Sequence, residues 1–323
     1  MRGRGGTAHY TGLVRCGSVW ACPCCSYVIC RKRAGELGQL LDRHTAIGGG
    51  DCMATLTVAH DLETPLKPLR EHVARAWQFV VSGAPWKRMR DRYGIQFVRG
   101  AEQTIGPNGW HPHLHVLLVT RRPLSSDDME QLRGWMFKRW AKAIARPHKE
   151  TGLQFRAPLE HGGDGKPVGV VVGRMRRDEY ITKLGLADEL ASPFTKEGRN
   201  GRRTPWQLLH DIWAANGSKK SDVDRWFEYI TEMHGARQLT WSKGLRARYA
   251  LPPEQTDLEL AAQEEQGITV YSFSDATWDD LIAPNVGLRI RILQLAESYD
   301  PDEAADRITK LVDKAAGLQP VPF

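Results

Sequence analysis

The chain has 323 residues, 41% hydrophobic and 26% charged, ordinary proportions for a globular protein of one large domain or two smaller ones. No run of about 18 apolar residues occurs, so no membrane-spanning helix is expected, and "MRGRGGTAHYTG" lacks the apolar core of a secretion signal, which predicts a cytoplasmic protein. The net charge of +7 is unevenly spread: from Leu251 onward 14 acidic residues face 5 Lys and Arg, whereas the first 250 residues hold 40 basic against 24 acidic side chains. A basic body suits a polyanionic partner, most simply nucleic acid.

Five of the six cysteines fall between Cys16 and Cys30, in "CGSVWACPCCSYVIC". In an oxidising compartment such a cluster predicts disulfides; in the cytoplasm it predicts a metal. Cys22 and Cys25 have the C-x-x-C spacing of a thiolate knuckle, and Cys16 lies just upstream. A fourth ligand would complete a tetrahedral structural Zn²⁺ site, with His9, Cys24 and Cys30 as its candidates. "RKRAGELGQLLDRH" then reads as an amphipathic helix with Leu37, Leu40 and Leu41 on its apolar side. Gly48 to Gly50 break it.

"CMATLTVAH" has the alternation of a β-strand with Cys52 in the core, and a helix is predicted from about Pro68 to Ser82. "YGIQFVRGAEQTI" and "PHLHVLLVT" read as two strands joined at Pro107–Gly109, an antiparallel hairpin. "SSDD" opens a helix carrying Leu132, Trp135, Met136 and Trp140. "LQFRAPLE" and "VGVVVGR" read as two short strands, "DEYITKLGLADELA" as a helix and "TKEGRNGRRTPW" as a basic loop. About three helices follow to Arg248, "LPPEQ" is a linker, and the acidic tail reads as helices around the strand "ITVYSF". The resulting class is α+β: a central antiparallel sheet of about five strands flanked by helices. Three regions are expected: a zinc knuckle with its helix over 1–45, a catalytic and DNA-binding domain over 46–250, and an acidic accessory region over 251–323.

In "GWHPHLHVLLVT" the alternate histidines His111, His113 and His115 point to one face of a strand. Neutral imidazole is the commonest metal ligand among side chains. Pro112 and the turn set His111 apart from the pair. Across the hairpin, Glu102 lies near enough to add a carboxylate, and two histidines with one carboxylate suit Mg²⁺ or Mn²⁺ facing a phosphate. In "RRDEYITKLG", Tyr180 and Lys183 share a helix face at i and i+3, with Arg176 and Arg177 one turn before. A tyrosine among cations suits nucleophilic attack on a phosphodiester, because the cations favour phenolate and hold phosphate oxygens. "RWFEYITEMHG" repeats the string around Tyr229, with Glu232 in place of the lysine, and reads as a structural copy. Lys196, Arg199, Arg202 and Arg203 make the glycine-rich loop a candidate phosphate grip. No G-x-x-x-x-G-K-[ST] loop is present, so no nucleotide cofactor is expected.

The ordered set "CGSVWACPCC", "ATLTVAH", "GWHPHLHVLLV", "EYITKLG", "TKEGRNGRRTPWQLL" and "WSKGLR" resembles the rolling-circle plasmid replication initiators of bacteria, within the HUH endonuclease superfamily. The resemblance runs from about Cys16 to Arg248. It implies that His113 and His115 bind a divalent metal, that Tyr180 attacks DNA and becomes joined to a 5′ phosphate, and that Lys183 assists. It implies plasmid origin DNA, single-stranded at the nick, as substrate, with a host helicase and DNA polymerase as partners. It departs at Arg176, where some members carry a glutamate, so no residue is assigned to termination. The rival readings are a related HUH transposase or relaxase, and a zinc-containing DNA-binding regulator without catalysis.

Overall fold

A computed structural model describes residues 1–3, 8–59, 61–62, 64–174, 201–263 and 267–317. Its contacts form two compact units, one of Met1–Arg15 with Ala262–Phe323 and one of Cys16–Ala261. The boundaries expected at 45/46 and 250/251 both fall inside the second unit. The reason is packing: the helix following the cysteines buries its apolar side on the main sheet, and Tyr249 and Leu251 join the same core.

In the first unit a two-residue strand β1 (Arg2–Gly3) pairs antiparallel with β7 (Gly267–Ile268). The helices Val286–Ser298 and Pro301–Ala315 bury Ile292, Ala296, Ala304, Ile308 and Val312 together. The strand expected over "ITVYSF" is confined to its first residue. Beyond it Val270, Tyr271 and Phe273 pack as side chains, Phe273 against Tyr10 with ring centroids 6.3 Å apart, and form no ladder.

The second unit is built on a five-stranded antiparallel sheet of order β5-β2-β4-β3-β6. Its strands are β2 (Gly50–Thr57), β3 (Gln96–Gly106), β4 (Gly109–Thr120), β5 (Val170–Gly173) and β6 (Leu239–Trp241). The α+β class and the count of five therefore hold, but the fifth member differs. "LQFRAPLE" forms no strand, because Leu153 and Leu159 remain exposed and only Phe155 and Pro158 are buried, Phe155 stacked on His72 at 4.3 Å. Leu239–Trp241 takes the edge beside β3 instead, opposite Gly100 to Val98.

Six helices matter for the site: α1 (Pro23–Ala46), α2 (Leu66–Val80), α3 (Gly83–Tyr93), α4 (Ser126–Ile144), α5 (Pro205–Ala214) and α6 (Lys220–Met233). One face of the sheet offers Cys52, Ala54, Leu56, Leu114, Val116 and Leu118 to Trp77 of α2 and to Leu132, Met136 and Trp140 of α4. The Trp140 indole donates to the Thr57 carbonyl at 2.6 Å. The other face sets Val98, Leu117 and Val119 against Leu37, Leu40 and Leu41 of α1. A reciprocal capping box between Ser125 and Asp128 starts α4 where the "SSDD" signal predicted. Tyr93, expected to open a strand, instead ends α3, and Gly94 at φ 65° supplies the left-handed turn into β3.

Candidate metal and DNA site

The register of the β3–β4 hairpin builds the site. Its loop is the two-residue Pro107–Asn108, with Gly106 opposite Gly109. Gly109 has φ 86°, and a Cβ there would meet the Asp61 carbonyl oxygen at 2.8 Å, so only glycine fits. With the turn fixed, Glu102 faces His113 directly and Gly100 faces His115, which leaves the diagonal from Glu102 to His115 free of a side chain. Glu102 Oε2 lies 2.9 Å from His113 Nε2 and 2.7 Å from His115 Nε2.

The outer nitrogens are held too. His113 Nδ1 is 3.2 Å from the His111 carbonyl oxygen, and His115 Nδ1 is 3.4 Å from Thr55 Oγ1. A carbonyl only accepts, so His113 carries its proton on Nδ1 and directs Nε2 at a carboxylate oxygen that also only accepts. That contact needs a proton or a bound cation between them. The three donor atoms lie close enough together that they could hold a metal ion. The side chains of Glu102, His113 and His115 are 19%, 12% and 10% exposed, so the group is mostly buried with a part of each side chain reaching solvent. His111, whose ring lies 5.4 Å from that of His113, is outside the group, as the sequence ranking predicted. Thr55 was not foreseen; it reaches the site only because β2 pairs with β4 in the register Thr55 to His115.

The cysteines make a second group. Cys22 is the N-cap of α1, with Pro23 next in the helix, and its sulfur accepts from the Cys25 N–H at 3.5 Å. Cys16 Sγ lies 3.7 Å from Cys25 Sγ. Burial pushes both Cys22 and Cys25 upward. At Cys22 that is outweighed by hydrogen bonds from the Cys25 and Cys24 backbone and neighbouring thiols, which lower it, while Cys25 is pushed up to about 11. Three sulfurs gathered at a helix N-terminus are donors that could hold a metal ion. Cys30, expected as a candidate fourth ligand, stands elsewhere. Five residues past Cys25 it has turned by about 140° around the helix; its sulfur meets Ser26 Oγ at 3.8 Å and receives the Gln238 amide at 3.2 Å. Cys24 is exposed and outside the group as well. His9 belongs to the other unit.

Tyr180, Lys183, Arg176, Arg177, Lys196 and Arg199 lie outside the described residues. Of the two loop arginines within them, Arg202 is exposed, its Cγ 2.9 Å from where a Cβ on Gly106 would stand. Arg203, expected to grip DNA, is instead committed inside the fold. Its backbone exchanges hydrogen bonds of 2.7 and 2.9 Å with Ile105, and its guanidinium binds Asp222 at 2.7 and 2.8 Å and Asp211 at 2.9 Å. Its partners raise the Arg203 pKa, and Arg203 in turn holds the Asp222 carboxyl below the usual range. No local pattern announces this pairing, because Asp222 arrives from α6 through tertiary packing.

The second EYIT string is structural. Glu228 accepts the Trp110 indole and the Leu66 N–H, each at 2.8 Å, and thereby ties α6 to β4 and α2. Tyr229 is 2% exposed and lies 5.9 Å from the Trp110 ring, nearly parallel to it. Burial raises its hydroxyl pKa, and the nearby Cys30 and Glu102 raise it further, so it is a poor nucleophile.

With this geometry in view, the chain is 29% identical to "Protein rep" of Streptomyces lividans over 325 aligned positions, spanning 81% of this chain and 70% of that protein. The chain is thus similar to a Rep protein. It is also 28% identical to the "Neomycin resistance protein" of Streptomyces cyanogenus over 296 positions, spanning 72% of this chain and 67% of that one. No family model matches the chain, and no solved structure does. Among the described residues no helix is long and apolar enough to cross a membrane.

Proposed function

We propose that this Rep relative nicks and rejoins one strand at a plasmid origin to start rolling-circle replication, by the chemistry of HUH endonucleases. The observation that carries the reading is the Glu102, His113 and His115 group, assembled across two adjacent strands in a basic body. A Mg²⁺ or Mn²⁺ ion, when bound there, supplies polarisation of the scissile phosphate. The protein supplies the rest. The Tyr180 oxygen attacks phosphorus, the O3′–P bond breaks, the departing oxygen takes a proton as a 3′ hydroxyl for a polymerase to extend, and the 5′ phosphate stays on the tyrosine. Lys183, one predicted helical turn away, favours phenolate by charge. Support for bringing Tyr180 near the group comes from the described residues on either side of it: Gly173 pairs with Met53 on β2, and Arg203 bridges to Ile105 on β3, the two strands that flank β4. Cys16, Cys22 and Cys25 hold a structural Zn²⁺, with one further ligand.

The test is incubation with Mn²⁺ and labelled single-stranded origin DNA. A covalent adduct is expected with the native chain and with Tyr229→Phe, and none with Tyr180→Phe, which still binds DNA. Stable duplex binding without a metal-dependent adduct would replace this reading with a non-catalytic regulator. Adducts formed with transposon ends or a conjugative origin, and not with a replication origin, would make it a transposase or relaxase.

A further inference from the structure

A second concave site lies at the far end of β3 from the metal-ligand group. Six residues separate Gln96 from Glu102, roughly 20 Å along a strand. A cavity of about 660 Å³ opens there, between the C-terminal end of α3, the start of β3, the residue after β4 and the chain leaving β6. That volume is in the range of a small-molecule or nucleotide site. The cavity is anchored by backbone: Phe97 N–H donates to Ser242 Oγ at 3.0 Å and Ser242 N–H to the Phe97 carbonyl at 2.8 Å. It falls on the "WSKGLR" stretch, to which the proposed reaction gives no role.

The lining joins cations to aromatic rings. Arg121 and Lys243 line it, both exposed, and neither has an ion-pair partner among the described residues. Arg248 spends one hydrogen bond, 3.1 Å, on the neutral Gln96 amide. The single carboxylate in the lining, Asp91, is already matched by Arg90 at 3.0 Å and by Lys87 at 2.8 Å. The cavity therefore carries uncompensated positive charge. Trp241 lines it as well, partly exposed, with Arg246 over its ring at 4.8 Å, and Trp86 closes the other wall. Cations spaced around indole rings in a concavity match the phosphates and base faces of an unpaired strand, whereas a duplex presents a convex backbone with its bases stacked inside.

Building on the nicking reading above, we propose that this cavity is a second DNA subsite, which holds unpaired nucleotides of the origin strand away from the cut. Its contacts are with phosphates and base faces, so it sets strand path and affinity and does not read bases.

The experiment uses the full chain without added divalent cation, so that nothing is cut. Fluorescence anisotropy follows two labelled single strands, a long one that can bridge both sites and a short one that covers the nick alone, across a salt series. Arg121→Ala with Lys243→Ala is compared with Lys138→Ala with Lys142→Ala, an equal charge loss at exposed positions of α4 outside the cavity. On the long strand the cavity pair should lower the slope of log affinity against log salt by about 1.4, two contacts at about 0.7 each, and the α4 pair should not. On the short strand both variants should match the native chain. Equal slopes for the two variants on the long strand overturn the subsite. An equal slope loss on duplex DNA overturns its assignment to an unpaired strand. Adduct formation by the native chain on the short strand with Mn²⁺ is scored separately, so a failure of the nicking reading is told apart from a failure of the cavity.

Discussion

The two groups that could hold a metal ion are built on opposite principles. Glu102, His113 and His115 stand on adjacent strands whose register is fixed by a two-residue turn, with hard oxygen and imidazole donors and part of the group open to solvent. Cys16, Cys22 and Cys25 stand on a loop and the first turn of α1, with soft sulfur donors. A rigid sheet holds a few ligands in place with positions left for substrate, as catalysis requires. A loop closed on a helix end gains its order from the metal itself, as a structural site does. On the proposed reading, the difference teaches that ligand chemistry and the stiffness of the supporting backbone together would separate a working metal from a holding one.

The largest expected effect breaks the comparison if it fails. His113→Ala or His115→Ala should lower nicking about 1,000-fold, near 4 kcal/mol of transition-state stabilisation, while the melting temperature changes little. Gel assays beside thermal melts decide it; a large melting shift with retained nicking would reverse the two roles.

Cys22→Ser should show the mirror image. Metal analysis should fall from about one zinc per chain to near none, and unfolding free energy should drop by roughly 2–3 kcal/mol, with nicking by the folded fraction reduced only a few-fold. Native-like zinc content in the variant would remove Cys22 from the site.

Glu102→Gln keeps the side-chain shape but removes the charge. Calorimetry should find Mn²⁺ affinity weakened about 10- to 100-fold, with nicking recovered at high Mn²⁺. Unchanged affinity would reduce Glu102 to a hydrogen-bond partner of the histidines.

Acidity should sharpen the contrast. With Cys25 pushed up to about 11 by burial, its thiol is protonated at neutral pH and must lose that proton to bind metal. Each proton released makes affinity fall about tenfold per pH unit as pH drops, so Co²⁺ titrations at about pH 8 and pH 6 should differ at least 100-fold at the cysteine group. A pH-independent affinity there would mean that Cys25 is not a ligand.

The smallest effect falls on neither group. Arg202→Ala should lower the salt slope of single-strand binding by about 0.7 and leave stability unchanged, because its side chain lies exposed against the hairpin turn. Loss of stability would instead class it with Arg203.

The shared face of His113 and His115 was legible because strand periodicity is local: alternate residues share a face whatever surrounds them, so "HPHLH" declared a face before any fold was known. The hairpin was legible for the same reason, since Pro107–Gly109 is turn chemistry, and with it came Glu102. The C-x-x-C spacing alone announced that the Cys22 and Cys25 sulfurs would meet at a helix start. Tertiary packing decided the rest. It chose Leu239–Trp241 over "LQFRAPLE" as the fifth strand, because a ladder needs an edge with a free register and a side to bury, and only the former has both beside β3. It turned Cys30 into a buried thiol against Gln238, 208 residues away, and committed Arg203 to Asp222 on a separate helix 19 residues on. Residue types and their local period determine what a segment can do; which partner a side chain meets is decided by long-range register and burial, which no short window of sequence contains.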